Sequence, residues 1–290
     1  MKTQLECIPC FTRQALDAVA EAIDDPVRRE TLLRRLLREI AETDWSDSPP
    51  AIAQRLHRAI RRELGDPDPY RDVKTRMNRM AARLVPEMRA RIAAHPDPRE
   101  AAVRVAIGGN LLDVGAKTQI AAEELPAHLE TIWTHPLRGD LEGLFRAADR
   151  ARSILYLADN SGEIFFDRLL IERLPAEKIT LFVRGAPVLN DATAADAEAA
   201  GLPEIVAVLD NGSDAPGTIL SDSSEEFRRR FDRADLVIAK GQGNYETLSD
   251  VDKPIYFLFT VKCPLVAERV GEPVGSLVAK PSRHLREKDE

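Results

Sequence analysis

No stretch of this sequence approaches the roughly 20 consecutive apolar residues needed to cross a membrane, and the N-terminal MKTQLECIPC holds no apolar leader run. The expectation is a cytoplasmic protein with no membrane partner. Cysteine is scarce: Cys7, Cys10 and Cys263 cannot all pair, so a disulfide framework is excluded. Aromatic residues make up 5% of the chain, too few for a platform that stacks single-stranded nucleic acid. Basic residues are outnumbered, and a net charge of −7 offers nucleic acid no general attraction. The few histidines (57, 95, 128, 135 and 284) are scattered. There is no internal repeat and no low-complexity tract.

What is present is enough hydrophobic residue, 44% of 290, to bury one large core or two modest ones. Residues 1–150 read as a helical domain. Apolar residues recur at three-to-four spacing in 15–23, 30–43, 50–64, 72–94 and 99–107, between the breakers SDSPP, GDPDPY and HPDP. A further helix is expected from about Pro136 to Arg150. From 151 to 280 the texture changes to short apolar runs, SILYLA, ITLFV, IVAVL, LVIA and IYFLFT, separated by amphipathic stretches. That alternation predicts an α/β class, with a parallel sheet covered on both faces. Residues 281–290 read as a frayed tail.

Ligands of such sheets bind beyond the carboxyl ends of the strands. Every candidate strand here delivers polar groups to that rim: Asp159-Asn160-Ser161-Gly162-Glu163, then Arg184-Gly185 and Asn190-Asp191, Asp210-Asn211-Gly212, Lys240-Gly241-Gln242-Gly243-Asn244, and Lys262-Cys263. Two of only nine lysines fall there. Asp159, Asn160 and Asp191 are hard oxygen ligands suited to Mg²⁺ or Mn²⁺. Lys240, Lys262 and glycine turns opening helices suit an anion. A cation, lysines and helix N-termini in one crevice match the needs of phosphoryl chemistry. No G-x-G-x-x-G follows the first strand and no P-loop motif occurs. No histidine lies on the rim, which argues against a histidine triad or a zinc hydrolase.

Structural readings compete for several of these residues. Asn190 and Asp191 could cap a helix starting near Ala192, and Asp210-Asn211-Gly212 is foremost a turn signal. In the helical half, Gly108-Gly109-Asn110-Leu111-Leu112-Asp113 either breaks a helix or brings Asn110 and Asp113 to the crevice. Lys74 and Asn78 share a helix face, for which a solvated surface is the simple reading. Cys7 and Cys10 are too isolated for a zinc ribbon, although a folded-over N-terminus would bring them to Cys263.

DNSGE, RGAPVLNDAT, D-x-G-S-D-x-x-G, AKGQGNYETL and VKC, with the early C-x-x-C and GGNLLDVG, resemble the DUF89 family of damage-control phosphatases with an ARMT1-like domain, in its cysteine-bearing microbial subfamily I. The resemblance runs in order from Cys7 to Gly275. It implies a helical N-terminal region on a Rossmann-like three-layer α/β/α domain that hydrolyses phosphate esters of small metabolites, namely sugar phosphates or damaged cofactor fragments. It further implies a divalent metal (Mg, Mn, Co or Ni) on Asp159, Asn160 and Asp191. The catalytic set would then be Asp159, Asn160, Lys240 and Lys262. Substrate contacts would come from Ser161, Glu163, Arg184, Asn190, Gly241, Gln242, Asn244, Asn110 and Asp113. The nucleophile is either a water on the metal or the Asp159 carboxylate. Two alternatives stand beside this: carboxyl methyl transfer from S-adenosylmethionine, proposed for ARMT1-like proteins, and a non-catalytic metal or metabolite sensor. Oligomeric state is left open.

Overall fold

The computed structural model describes residues 1–109 and 125–285. Helices α1 (Ile8–Ala22), α2 (Pro26–Ala41), α3 (Pro49–Leu64), α4 (Arg71–Ala94) and α5 (Pro98–Gly108) fill the first segment. The breakers act as helix ends. Pro49 and Pro50 open α3, and Gly65 closes it in the left-handed region at φ 65°. Asp97 accepts hydrogen bonds from the Arg99 and Glu100 amides ahead of α5, and Asp25 does the same for α2.

The helix expected from Pro136 is shorter than the periodicity suggested. Leu137–Gly139 forms strand β1, and helix α7 (Leu141–Arg150) starts only after Asp140, whose carboxylate accepts from the Gly143 amide at 2.7 Å. Gly139, at φ 120°, lies so close to the Ala279 carbonyl that a Cβ would fall 1.8 Å from its oxygen. That contact holds the segment extended. Helix α6 (Leu125–Thr134) precedes it.

Strands β2 (Ile154–Leu157), β3 (Ile179–Val183), β4 (Ala207–Asp210), β5 (Leu236–Lys240), β6 (Ile255–Thr260) and β7 (Leu277–Pro281) complete one sheet in the order β1-β7-β6-β5-β2-β3-β4. The five runs read from sequence all appear, and all pair in parallel. Short β1 and β7 extend the sheet, and β7 runs antiparallel to β6, so the sheet is mixed. The segment expected to fray from residue 281 begins with the last residue of β7; 286–290 lie outside the described residues.

Helices α8 (Glu163–Ile171), α9 (Ala194–Ala199), α10 (Glu225–Arg233), α11 (Gln242–Leu248) and α12 (Pro264–Val270) follow their strands. One face of the sheet packs on α4, α5, α7, α8 and α9. The other packs on α10, α11 and α12. The result is the three-layer α/β/α arrangement. Helices α1–α3 share a core of their own, around Phe11, Leu36, Ile52 and Leu56. The apolar cores therefore divide within the helical half, between α3 and α4, and not at residue 150. Among the described residues no helix is long and apolar enough to cross a membrane.

His57 sits inside the α1–α3 region, 3% exposed, with its ring edge-on to Tyr70 at 5.9 Å. Burial, aided by Arg61, pushes its pKa from 6.5 down to about 4. As pH falls through that window the unfolded chain takes up a proton that the folded chain refuses, so stability is lost between 6.5 and about 4. The full effect is about 3 kcal/mol. In urea titrations at stepped pH, His57→Leu is expected to show a shallower acid decline than the wild type across that window.

Candidate active site

Strand order reverses direction between β2 and β5, which lie side by side at the centre of the sheet. This switch point opens a crevice at the carboxyl ends of both strands. Asp159-Asn160 leave β2 there and Lys240-Gly241 leave β5. Gly241 adopts φ 79° and ψ 155°, a conformation open to glycine alone. A Cβ on it would lie 1.9 Å from Asp159 Oδ2. The Asp159 carboxylate is thus seated directly on the bare glycine backbone.

Asp191 arrives from the loop after β3. The backbone lays this loop along 159–161: Ser161 N–H donates to Asn190 O at 2.8 Å, Ala192 N–H to Asp159 O at 2.8 Å, and Asn160 and Asp191 form an antiparallel bridge. A turn closed by the Asp191 amide on Val188 O sets up this approach, with Leu189 held at φ 46°. Such a conformation costs a branched residue roughly 1–2 kcal/mol, a strain located beside the crevice. Neither Asn190 nor Asp191 caps α9. Thr193 and Asp196 do so as a reciprocal capping box, which leaves the two loop residues for the crevice.

Asp159, Asn160, Asp191 and Arg184 are all buried. Arg184 Nε donates to Asp191 Oδ2 at 2.6 Å, and its Nη2, buried without a hydrogen-bond partner, lies 3.7 Å from Asp159 Oδ1. Ser161 Oγ and Asn190 Nδ2 are also buried polar atoms without hydrogen-bond partners. The Asn160 amide donates to Asp159 Oδ2 at 2.9 Å and to Glu163 Oε2 at 3.1 Å. Burial, then the charges of Glu163 and Asp191, push the Asp159 pKa well above the usual carboxylate range; Lys262 and Arg184 pull the other way. Lys262 is thus within electrostatic reach of Asp159 and of Glu246, and its backbone N–H donates to Gln242 Oε1 at 2.9 Å.

Three of the residues picked out from the sequence are held by hydrogen bonds inside the protein. Lys240, expected on the phosphate, turns beneath the crevice: its Nζ donates to Glu163 Oε1 and Asp167 Oδ1 at 2.5 Å each and to Ala106 O at 2.8 Å. All three ammonium hydrogens are used and the side chain is fully buried. Burial works against the charge, yet Asp167 and Glu163 hold the Lys240 pKa far above its ordinary value. Glu163, expected to touch substrate, is the opposing carboxylate. Asn244 donates to Lys240 O at 2.7 Å and Ala158 O at 3.3 Å and accepts from Thr218 Oγ1 at 2.8 Å, so its amide ties β5 to β2.

The helix N-terminus after Gly162 is also occupied. Asn78 Oδ1 takes the Gly162 amide at 2.7 Å, while its Nδ2 donates to Asp196 Oδ1 at 2.7 Å. Asn78 is therefore a brace between α4 and the crevice loops. Lys74 beside it is buried against Asp68 at 2.9 Å, not solvated. Asp210-Asn211-Gly212 is a turn, as its composition indicated, with Gly212 at φ 73°. Just beyond, Asp214 is bound by Gln54, Arg58 and Arg61 of α3. Gly109 packs on Glu163, where a Cβ would lie 3.2 Å from Glu163 Cγ. Asn110 and Asp113 lie outside the described residues.

Sequence reasoning missed Asp167, Tyr156 and Asn78. Glu163 and Asp167 stand four apart in a helix whose only other charged residue is Arg168, and four-apart spacing places them on one face. Tyr156, inside a fully buried strand, donates its hydroxyl to Asp167 Oδ1 at 2.8 Å.

A family model of the damage-control phosphatase ARMT1-like domain matches residues 3–278. The chain belongs to this family. It is 36% identical to a damage-control phosphatase of Archaeoglobus fulgidus, over 97% of this chain and 99% of that one. It is 34% identical to an uncharacterized protein of Methanocaldococcus jannaschii, over 96% of this chain and 95% of the other. The crystal structure of a DUF89 family protein from Pyrococcus horikoshii superposes with a TM-score of 0.88 at 32% identity, covering 98% of this chain and 100% of that one. The motif resemblance is thus a family relationship along the whole fold.

Gly241→Ala in this damage-control phosphatase fold combines the cost of a glycine-only backbone conformation with that of displacing Asp159. Gly271, also at positive φ (74°), has nothing within 4 Å of a Cβ. Its alanine variant should lose only the backbone term, roughly 1–2 kcal/mol. Urea unfolding of Gly241→Ala is expected to show a distinctly larger loss; equal losses would mean that Asp159 is not seated on Gly241.

Proposed function

We propose that this chain is a divalent-metal-dependent phosphomonoesterase of small phosphorylated metabolites, with its metal held by Asp159, Asn160 and Asp191. The observation that supports it is the charge balance of the buried crevice. Among the described residues, Asp159, Asp191, Glu163 and Asp167 bring four carboxylates against three cations, Arg184, Lys240 and Lys262. On that count one negative charge is left over, and the charges of Glu163 and Asp191 add to burial in raising the Asp159 pKa. A divalent cation inverts that balance and makes the crevice attractive to a phosphate dianion. The donors fit such a cation: two carboxylates and one amide oxygen, all hard, with no thiol or imidazole among them. When bound, Mg²⁺, Mn²⁺, Co²⁺ or Ni²⁺ supplies polarisation of a phosphoryl oxygen.

The chain's own residues do the rest. Lys262 reaches the crevice from the end of β6 and neutralises charge on the phosphoryl oxygens. Arg184, anchored to Asp191 by Nε, has its unpartnered Nη2 as a second donor for the same group. Asn190 Nδ2 and Ser161 Oγ are further buried polar groups with hydrogen-bonding capacity to spare. Lys240, sealed beneath, keeps the floor rigid and does not meet the substrate.

Phosphate release from a panel of sugar phosphates, nucleotides and p-nitrophenyl phosphate tests this reading. Release should need added metal, stop with EDTA, and be lost in Asp159→Ala and Asp191→Ala. EDTA-insensitive release, or wild-type rates in those variants, would overturn it. Lys262→Met is expected to lower kcat by about 10²–10³-fold, as for loss of one charge-stabilising donor. Lys240→Met is expected to act mainly through lost thermal stability.

A further inference from the structure

The Asn160 side chain can serve a cation only through its oxygen, and an amide can present either end. Here both amide hydrogens are claimed by carboxylates, Asp159 Oδ2 at 2.9 Å and Glu163 Oε2 at 3.1 Å. Asp159 moves with the metal site itself. Glu163 belongs to a different structure: its other oxygen, Oε1, takes Lys240 Nζ at 2.5 Å, and that ammonium is held in turn by Asp167 and Ala106 O. Tyr156 closes the chain on Asp167. Glu163 is 0% exposed and so cannot be a surface ligand.

We infer that Glu163 is a positioning residue for the metal, and that the buried Lys240–Glu163 pair sets the orientation of the Asn160 amide so that Oδ1 is the end presented to the cation. Glu163 never touches metal or substrate. It accepts the Asn160 N–H, and Lys240 holds it in place while it does so. The inference rests on the metal reading above.

The chemistry predicts a specific failure. In Glu163→Gln one oxygen remains, and Lys240, which has only donors, claims it. The new amide nitrogen then faces Asn160 Nδ2, donor against donor, and the Asn160 amide turns over, presenting N–H₂ to the cation. Asp167→Asn perturbs the same network one step away. Asp167 Oδ1 takes both Lys240 and Tyr156, while Oδ2 is buried without a partner, so the amide nitrogen settles at Oδ2 and Asn160 is untouched.

The test is Mn²⁺ binding to metal-free protein, by calorimetry and by the resonance signal of free Mn²⁺, with thermal melts to establish folding. Glu163→Gln should bind Mn²⁺ about 10- to 100-fold more weakly, the usual loss when the partner of a metal ligand is removed. Asp167→Asn removes the same charge from the cluster but leaves the Asn160 contact in place, so it should weaken Mn²⁺ binding far less than Glu163→Gln does, whatever its melting temperature. Wild-type affinity in Glu163→Gln, or equal weakening in both variants, overturns the inference. If Glu163→Gln does not fold, Glu163→Asp keeps the charge opposite Lys240 but withdraws the carboxylate from Asn160; it should also bind weakly, and wild-type affinity there overturns the inference. A wild-type protein that takes up no Mn²⁺ overturns the metal reading, and this inference with it.

Discussion

The Lys240 ammonium is the interaction on which the rest of the crevice depends. It leaves the end of β5, crosses beneath the switch point and ties that strand to the first turns of α8 through Glu163 and Asp167, and to the end of α5 through Ala106 O. Three secondary-structure elements from both halves of the chain meet at one charge. Burying that charge is unfavourable by itself; what makes it tolerable is that every hydrogen has an acceptor and two of the acceptors are anionic. Removing one partner leaves the others buried and uncompensated. An apolar floor of equal volume would be at least as stable, so the pair is better explained by orientation than by stability.

Above this floor the site is assembled by backbone and not by side-chain attraction. Gly241 admits Asp159, and the 188–192 loop is paired along 159–161, so Asp159, Asn160 and Asp191 converge. Two buried carboxylates forced together in this way repel, and Arg184 offsets the repulsion only in part. The strain at Leu189 has the same origin: a loop bent to deliver Asp191. The helical half contributes braces. Asn78 holds the turn before α8, and Arg58, Arg61 and Gln54 grip Asp214 from α3. Mutations in α3 or α4 therefore reach the crevice without touching its ligands.

The central strands, their parallel pairing and the rim of polar residues could be read from the chain, because continuous apolar runs ending in turn residues carry all three. The capping competition at Asn190 and Asp191 could not be resolved there. A Thr-x-x-Asp box two residues later removes it, but only the built helix shows where the first turn begins. Strands β1 and β7 escaped notice because three residues, or an apolar run cut short by Lys280 and Pro281, leave too little pattern. Lys74 and Asn78 looked solvated because helical spacing reports that two residues share a face, never what that face meets.

What the sequence alone determined was composition, order and inventory: an α/β sheet, the metal-capable trio, and the lysines at two strand ends. Tertiary structure decided which way each side chain turns. Lys240 and Lys262 have the same chemistry and lie at the ends of apolar strands, yet one is sealed under the floor and the other stays partly exposed within electrostatic reach of Asp159. Lys240 is the last residue of β5, where two carboxylates of α8 wait on the covered face. Lys262 lies two residues beyond the end of β6, where the chain has already left the sheet. That difference belongs to the packing of α8 across the sheet, a long-range contact that no local pattern encodes.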